Sequence, residues 1–435
     1  MKNSLLQRDG VRAAIAAVVS ILIGLAAGSV LVLIMGLTND TLGAAGALDG
    51  MRLIFGGLFA TGRNATGGLT FGFNPANIGN MLFRATPLIL TGLSVAVAYK
   101  TGLFNIGAPG QYLMGTAVTL VIALGVPASS IPAPLLWLLA FTGGVLAGAL
   151  WGCLPGLLKA FLNINEVLAC IMTNWIAANL VTWIFDKSQF CNMVENTKTG
   201  YIYKTTYGLT RAADGAGVFT DAAGVSWTYT DGAGVATAKL GLDRLFPGSQ
   251  VNGGIVLAIL IAIGVYILMT RTTLGYQLKA CGANRHAARY AGINDRRNII
   301  LSMAIAGGLA GAAASLYYLS GNTEFYWTAA YQSLPAAGFN GIPVALLAAN
   351  HPIAVIFTGL FMSALNIVGL QMKNLTAYNE YIADVIVAVI VYLSAFSLVI
   401  KLSLGRLASR RPGAGHTPTG GETPPTQQEK GGGTT

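Results

Sequence analysis

The sequence predicts an all-α polytopic membrane protein with about ten transmembrane helices, two of them broken or re-entrant. Of its 435 residues, 54% are hydrophobic and 10% are charged, whereas soluble domains carry roughly 25% charged residues. Apolar runs of about 20 residues, the length that crosses a bilayer, recur from the N-terminus to Lys401. Glycine and proline interrupt two of the hydrophobic stretches. This pattern excludes a soluble globular domain.

The positions of the apolar runs give the predicted spans, of which the eighth is too short to cross as one helix. Several spans carry glycines four residues apart, which indicates smooth faces for close helix contact. These glycines are Gly24 and Gly28, Gly144, Gly148, Gly152 and Gly156, and Gly307 and Gly311. Residues 41–79 hold only short apolar pieces and are expected along the outer surface. The predicted spans are 13–36, 80–100, 109–127, 133–158, 166–186, 252–270, 298–320, 338–349, 351–371 and 380–400.

Charge distribution predicts the orientation. The loop 271–297 carries six basic residues and one acid, Asp295, which places it in the cytoplasm by the positive-inside rule. The segment from Asp186 to Gln250 has six basic and six acidic residues and no apolar run, so it is expected outside. The predicted organisation is a cytoplasmic N-terminus (1–12), a first transmembrane half (13–186), an extracytoplasmic insertion (187–251), a second transmembrane half (252–400) and a disordered cytoplasmic tail (401–435).

No catalytic or cofactor site is predicted. The four cysteines are scattered without a CxxC pair, so neither a metal site nor a disulfide framework is indicated. No lysine follows a glycine, which excludes the phosphate-binding loop of an ATPase. The chain is therefore not expected to be an enzyme, and it needs either an energy-supplying partner or an ion gradient.

The first interruption is the stretch GLFNIGAPGQYLMG at 102–115. Its glycines and proline destabilise a helix, and non-helical backbone at membrane depth is tolerated only inside protein or beside a watery cavity. Asn105 and Gln111 offer amides suited to a neutral polar solute. With Phe104 beside them, and Asn174 on a nearby span, they are predicted to line a substrate path. The alternative is an ordinary turn at the cytoplasmic edge near Lys100.

The second interruption, GFNGIPVAL at 338–346, repeats the Phe-Asn pair of the first between glycine and proline. The predicted topology brings the chain to the two copies from opposite sides, as in an inverted repeat with broken helices. Chance similarity between glycine-rich segments is the alternative. Phe339 and Asn340 are predicted to stack on and hydrogen-bond a flat solute, with structural packing as the competing interpretation. Glu166 is expected to cap its helix.

The basic loop contains NRHAARYAGI, whose clustered alanines and final glycine predict a short helix. We interpret this helix as a docking element on the membrane surface. The alternative is a basic loop that serves only as a topology signal.

Four stretches resemble the permease subunits of bacterial ABC importers of the simple-sugar and nucleoside type, related to branched-chain amino-acid permeases. They are ATPLILTGLSVAVAYKTGLFNIGAPGQYLMG, NEVLACIMTNWIA, RTTLGYQLKACGANRHAARYAGI and GFNGIPVALLAANHPIAVIFTGLF, which span roughly residues 80 to 370. FNIGAPGQ and NEVLACIMTNWIA look closest to the nucleoside branch. The sequence departs from the family at Pro109, where many members have an acid, and at Arg285, where many have proline.

The resemblance implies a type II ABC importer-like fold in the bacterial cytoplasmic membrane, with both termini inside. The implied partners are cytoplasmic ABC ATPase subunits, a second permease subunit, an extracytoplasmic substrate-binding lipoprotein, the solute and membrane lipid, without nucleic acid and without a cofactor. The ATPases are implied to dock on the loop at Gly282, Asn284, Arg285, Ala288, Arg289 and Gly292. The expected function is ATP-driven import of a small polar solute, a nucleoside first and a simple sugar next. An ion-coupled secondary transporter is the alternative.

Overall fold

A computed structural model describes residues 9–38, 42–126, 131–186, 188, 210–211, 216–220, 226–230, 236–321, 323, 325–327, 333–379 and 381–394. Helices dominate these residues, which confirms the all-α polytopic class. The helices are α1 (Asp9–Thr38), α2 (Gly43–Gly56), α3 (Pro75–Lys100), α4 (Ala108–Gly125), α5 (Ala133–Leu162), α6 (Glu166–Phe185), α7 (Leu242–Leu245), α8 (Gly254–Arg271), α9 (Thr273–Ala283), α10 (Arg285–Tyr290), α11 (Asp295–Tyr318), α12 (Ala336–Phe339), α13 (Gly341–Leu347), α14 (Pro352–Leu375) and α15 (Ile382–Ser394).

Eight helices in the described part of the chain are long and apolar enough to cross a membrane, namely α1, α3, α4, α5, α6, α8, α11 and α14. Each matches a predicted span within a few residues. The predicted short span at 338–349 is split into α12 and α13. Helix α15 covers 13 residues of the predicted span 380–400, and residues 395–400 lie outside the described residues. The total of ten spans therefore stays a prediction.

Asparagine side chains cap several of these helices. The Asn74 Oδ1 atom accepts a hydrogen bond from the Asn77 backbone at 3.1 Å, and Pro75 then opens α3. At α6 the cap is Asn165, which accepts from the Val167 backbone at 2.8 Å. The sequence assigned this role to Glu166, which instead pairs with Lys159 at 3.0 Å. Asn165 caps the helix because its short amide reaches the free N–H groups from the position before the first turn.

Two small sheets were not predicted from the sequence. Strands β1 (Ala60–Arg63) and β2 (Leu69–Phe71) form a hairpin within the segment 41–79. Within the predicted insertion 187–251, strands β3 (Thr210–Arg211), β4 (Ala216–Thr220) and β5 (Ser226–Thr230) form an antiparallel meander. Apart from residue 188, the rest of that insertion up to residue 235 lies outside the described residues, as do residues 1–8 and the predicted tail 401–435.

The glycine faces pack as the spacing predicted. A methyl group on Gly148 would collide with the Gly307 carbonyl oxygen, and one on Gly311 would collide with the Gly144 carbonyl oxygen. Helices α5 and α11 therefore touch backbone to backbone along this seam, which only glycine allows. In the same way, a methyl group on Gly24 of α1 would lie 2.7 Å from the Cα atom of Ile390 in α15.

Helix α3 lies at the centre of the bundle and runs antiparallel to α11. The rings of Phe83 and Tyr317 stack with centroids 5.4 Å apart, while Thr101 hydrogen-bonds to Ser302 near the other end of both helices. We call the end that carries residues 271–297 the basic end, and the end at Tyr318 the opposite end. The depth of an element in the bundle is its position between these two ends.

Candidate functional site

The first interruption re-enters the bundle from the basic end. After α3 ends at Lys100, residues 101–107 are non-helical, and Gly102 has a φ of +75° that favours glycine. The Asn105 Nδ2 atom donates to Ser94 Oγ at 3.0 Å. Ser94 lies six residues inside α3, about 9 Å from its end at the helical rise. The segment therefore begins at the edge of the bundle but continues into the buried interior.

Three of the predicted path residues bind one another or the backbone of the interruption. Asn105 and Gln111 exchange two amide hydrogen bonds, of 2.8 Å and 3.0 Å. Asn174 Oδ1 accepts from the Gly110 backbone at 2.9 Å, and its Nδ2 donates to the Ile106 carbonyl at 3.0 Å. All three side chains are buried. Their amides thus replace the hydrogen bonds that the broken helix lacks, which is the condition for such backbone inside a membrane protein.

The second interruption enters from the opposite end. Helix α11 ends at Tyr318, and the next helix among the described residues begins at Ala336. A methyl group on Gly341 would lie 2.5 Å from the Thr91 carbonyl carbon, so α13 begins against the middle of α3. Helix α13 then runs to the basic end, where the His351 ring lies 5.6 Å from the ring of Tyr266, close to the end of α8 at Arg271. The pair α12 and α13 is therefore half a span.

The two interruptions touch. A methyl group on Gly338 would lie 2.5 Å from the Cα atom of Pro109, so the start of α4 and the end of α12 meet in the bundle interior. The sequence indicated two related breaks entered from opposite sides but did not predict their contact.

Phe104, Phe339 and Asn340 differ from the three amide-bearing residues above in not being buried. Phe104 and Asn340 are partly exposed, and 37% of Phe339 is exposed. Within the described residues, no hydrogen bond engages the Asn340 side-chain amide. The six predicted path residues thus divide into three buried residues that hold the interruption together and three that are at least partly exposed.

The predicted short helix in the basic loop is confirmed as α10. Asn284 caps it by accepting from the Ala287 backbone at 3.0 Å, and Gly292 follows its end with a φ of +78°. Arg285 and Arg289 both bind the Asp295 carboxylate, at 2.6 Å and 2.7 Å. These two ion pairs fix α10 to the first turn of α11. The hydrogen bond and the charge of Asp295 raise the pKa of Arg289.

The six residues implied for ATPase docking have different surroundings. Asn284, Arg289 and Gly292 are exposed, and Arg285 is partly exposed. Ala288 is buried and faces the chain itself. A methyl group on Gly282 would lie 2.6 Å from the Lys100 carbonyl oxygen and 2.8 Å from the Gly102 nitrogen. Gly282 thus joins the basic loop to the first interruption, and burial raises the pKa of the neighbouring Cys281 thiol.

One exposed residue was missed in the sequence analysis. Tyr290, the last residue of α10, is 94% exposed, and its place on the helix face away from Ala288 was a usable signal. In the described part of the chain, no group of three or more His, Cys, Asp or Glu side chains is arranged to hold a metal ion.

A bundle of membrane-spanning helices whose two broken segments meet in its interior defines a polytopic membrane permease. The profile described as branched-chain amino acid transport system / permease component matches residues 77–395, and the chain belongs to this family. Proteins of this kind form the membrane subunit of ABC transporters and work with ATPase and substrate-binding subunits.

Three relatives carry similar sequences over most of the chain. The guanosine ABC transporter permease protein NupP of Bacillus subtilis (strain 168) is 29% identical over 90% of this chain and 96% of its own length. The nucleoside ABC transporter permease protein NupB of Lactococcus lactis subsp. cremoris (strain MG1363) is 33% identical over 77% of this chain and 88% of its own length. The glucose ABC transporter permease protein TsgB13 of Haloferax volcanii is 30% identical over 72% of this chain and 74% of its own length. No solved structure matches the chain.

Proposed function

We propose that the chain forms the translocation path of an ATP-driven importer whose solute is a nucleoside. The observation that carries this proposal is the pair Phe339 and Asn340 beside the contact between the two interruptions. An accessible ring can stack on a base or a sugar face, and an unengaged amide can both donate to and accept from its polar edge. The names of two relatives support the nucleoside, and the third keeps a simple sugar as the next candidate.

In this proposal, α10 couples ATP hydrolysis by the partner ATPase subunits to transport. The ATPase subunits dock at the basic end, which is cytoplasmic, and Tyr290 is their apolar anchor because exposed aromatic side chains dominate many protein interfaces. Asn284, Arg285, Arg289 and Gly292 surround this anchor. A second permease subunit, identical or related, completes the path, and a lipoprotein delivers the solute at the opposite end. The protein lies in the bacterial cytoplasmic membrane with both termini inside.

The path is tested by uptake of a radiolabelled nucleoside into cells that express the complete transporter. We expect Asn340→Leu to reduce uptake strongly while protein level and assembly stay normal, and Asn340→Gln to retain part of it. Asn374→Leu is the matched control, because Asn374 is an exposed asparagine at the end of α14. Normal uptake by Asn340→Leu would remove this residue from the path.

The docking surface is tested by co-purification of the ATPase subunits. We expect Tyr290→Ala to weaken their retention, whereas Tyr381→Ala, at the opposite end and 64% exposed, leaves it unchanged. Replacement of residues 282–292 by a flexible linker should abolish ATP-dependent uptake. Uptake by the purified chain alone in liposomes with an ion gradient would instead support a secondary transporter.

A further inference from the structure

An apolar cavity of about 410 Å³ lies at the opposite end of the bundle, and its lining residues belong to neither interruption. Its walls are the beginning of α5, the beginning of α8 and the segment 236–240, which we call the strap. Among the described residues that line it, only Trp137 and Thr237 have polar atoms in their side chains, and Trp137 Nε1 donates to Thr237 Oγ1 at 3.0 Å. The cavity therefore suits an apolar ligand better than a polar solute.

Backbone hydrogen bonds attach the strap to the helices on either side of it. The Thr237 N–H group donates to the Leu319 carbonyl at 2.7 Å, directly after the end of α11. The Gly253 N–H group, directly before α8, donates to the Ala238 carbonyl at 2.8 Å. A methyl group on Gly253 would lie 2.7 Å from Leu240 Cδ1, so this leucine packs on the start of α8. The strap is thus fixed to α5, α8 and α11, and the cavity is part of the packed structure.

The cavity borders the surface that these helices present to lipid. Trp137 lies four residues after the first residue of α5, and Leu257 lies three residues after the first residue of α8. These separations are about 6 Å and about 4.5 Å along the helical rise, close to the membrane interface, where tryptophan is frequent. Leu138, beside Trp137, is 49% exposed, and Leu260, one turn further along α8, is 57% exposed. The cavity walls thus continue into apolar surface that contacts acyl chains.

We propose that this cavity binds one acyl chain of a membrane phospholipid from the leaflet at the opposite end. A cavity with apolar walls stays dry, and its lining atoms lack van der Waals contacts while it is empty. An acyl chain from the adjoining leaflet restores these contacts. Lys239, which is exposed in the strap, adds a cation near the lipid phosphates, to which basic side chains are attracted. The bound chain packs under the strap and stabilises its attachment to the helices, whichever solute the protein transports.

Photolabelling tests the site. The complete transporter is placed in vesicles of phosphatidylethanolamine and phosphatidylglycerol with a trace of phosphatidylglycerol that carries a diazirine on one acyl chain, and mass spectrometry locates the label. We expect label on Trp137 of the unaltered protein. Leu257→Trp fills the cavity and should abolish most of this label, whereas Leu260→Trp, on the open lipid-facing surface, should leave it unchanged. Absence of label from Trp137, as expected if the insertion or a second permease subunit fills the cavity, would overturn the site, and so would equal labelling of the two variants.

Lipid retention gives an independent measurement from the other wall of the cavity. Native mass spectrometry counts the phospholipid molecules that stay on the complete transporter after extensive washing with detergent. We expect Ala133→Trp, which fills the cavity from α5, to retain one phospholipid fewer per chain than the unaltered protein. Leu135→Trp is the matched control, because Leu135 is 48% exposed and does not line the cavity. This comparison also stands if Leu257→Trp fails to fold. Equal retention by Ala133→Trp and Leu135→Trp would contradict the proposal.

Discussion

Gly338 lies against the ring and backbone of Pro109, with no room for a side chain between the two interruptions. The Pro109 Cα, N and Cγ atoms are all within 2.8 Å of the place where a Cβ atom of Gly338 would stand. The contact joins the segment that enters from the basic end to the segment that enters from the opposite end. A displacement of one interruption at this point therefore has to be accommodated by the other.

This contact predicts the effect of Gly338→Ala. The added methyl group must displace Pro109, and overpacking of this kind costs about 1–3 kcal/mol. We expect lower thermal stability in detergent and a clear loss of nucleoside uptake. Gly264→Ala is the control, because no atom lies within 4 Å of a methyl group at that position. Equal stability of the two variants would show that the interruptions separate more easily than the structure indicates.

The glycine seam gives a second prediction from adjacent residues. Gly307→Ala directs a methyl group into the Gly148 carbonyl, whereas Gly308→Ala meets its nearest atom, Ala149 Cβ, at an ordinary 3.5 Å. We expect Gly307→Ala to lower the unfolding temperature. Gly308→Ala should be neutral or slightly stabilising, since alanine favours a helix by about 1 kcal/mol over glycine. A thermal unfolding assay in detergent compares them, and a reversed order would contradict the close approach of α5 and α11.

The buried amides give a third prediction. Asn105→Leu leaves the Gln111 amide and the Ser94 hydroxyl without their partners, and an unsatisfied buried polar group costs about 1–3 kcal/mol. We expect this variant to fold poorly and to lose uptake in proportion to its loss of folded protein. Asn340→Leu is the comparison, since its amide has no internal partner to abandon within the described residues. A well-folded but inactive Asn105→Leu protein would place this amide in contact with the solute instead.

The contact between Gly282 and residues 100–102 gives a fourth prediction. A methyl group on Gly282 would push the end of α9 away from the first interruption, while the surface of α10 would stay as it is. We therefore expect Gly282→Ala to retain ATPase binding and ATP hydrolysis but to lose coupled uptake. Ala283→Ser, at an exposed position, is the control. Both rates are measured in the same vesicles, and unaltered uptake by Gly282→Ala would exclude this contact from transmission.

Much of the fold could be predicted because the signals are local. A span is recognised from its own composition, the seam of Gly144 and Gly148 from its four-residue spacing, and α10 from Asn284, the alanines and Gly292. The strands β3 to β5 could not be found in this way, because short polar strands form through pairing with each other. Asn165 replaced Glu166 as the cap because one residue of difference in position decides which side chain reaches the free N–H groups.

The sequence by itself determined that the chain is a multi-pass helical membrane protein, where its helices break, and which residues could serve a path or a docking element. Only the tertiary structure decided how each polar side chain is used. Asn105 and Gln111 satisfy each other, whereas the Asn340 side chain makes no hydrogen bond within the described residues. These outcomes depend on contacts between residues far apart in the chain, and hydrogen-bonding capacity read from a sequence does not say whether another part of the protein has already taken it.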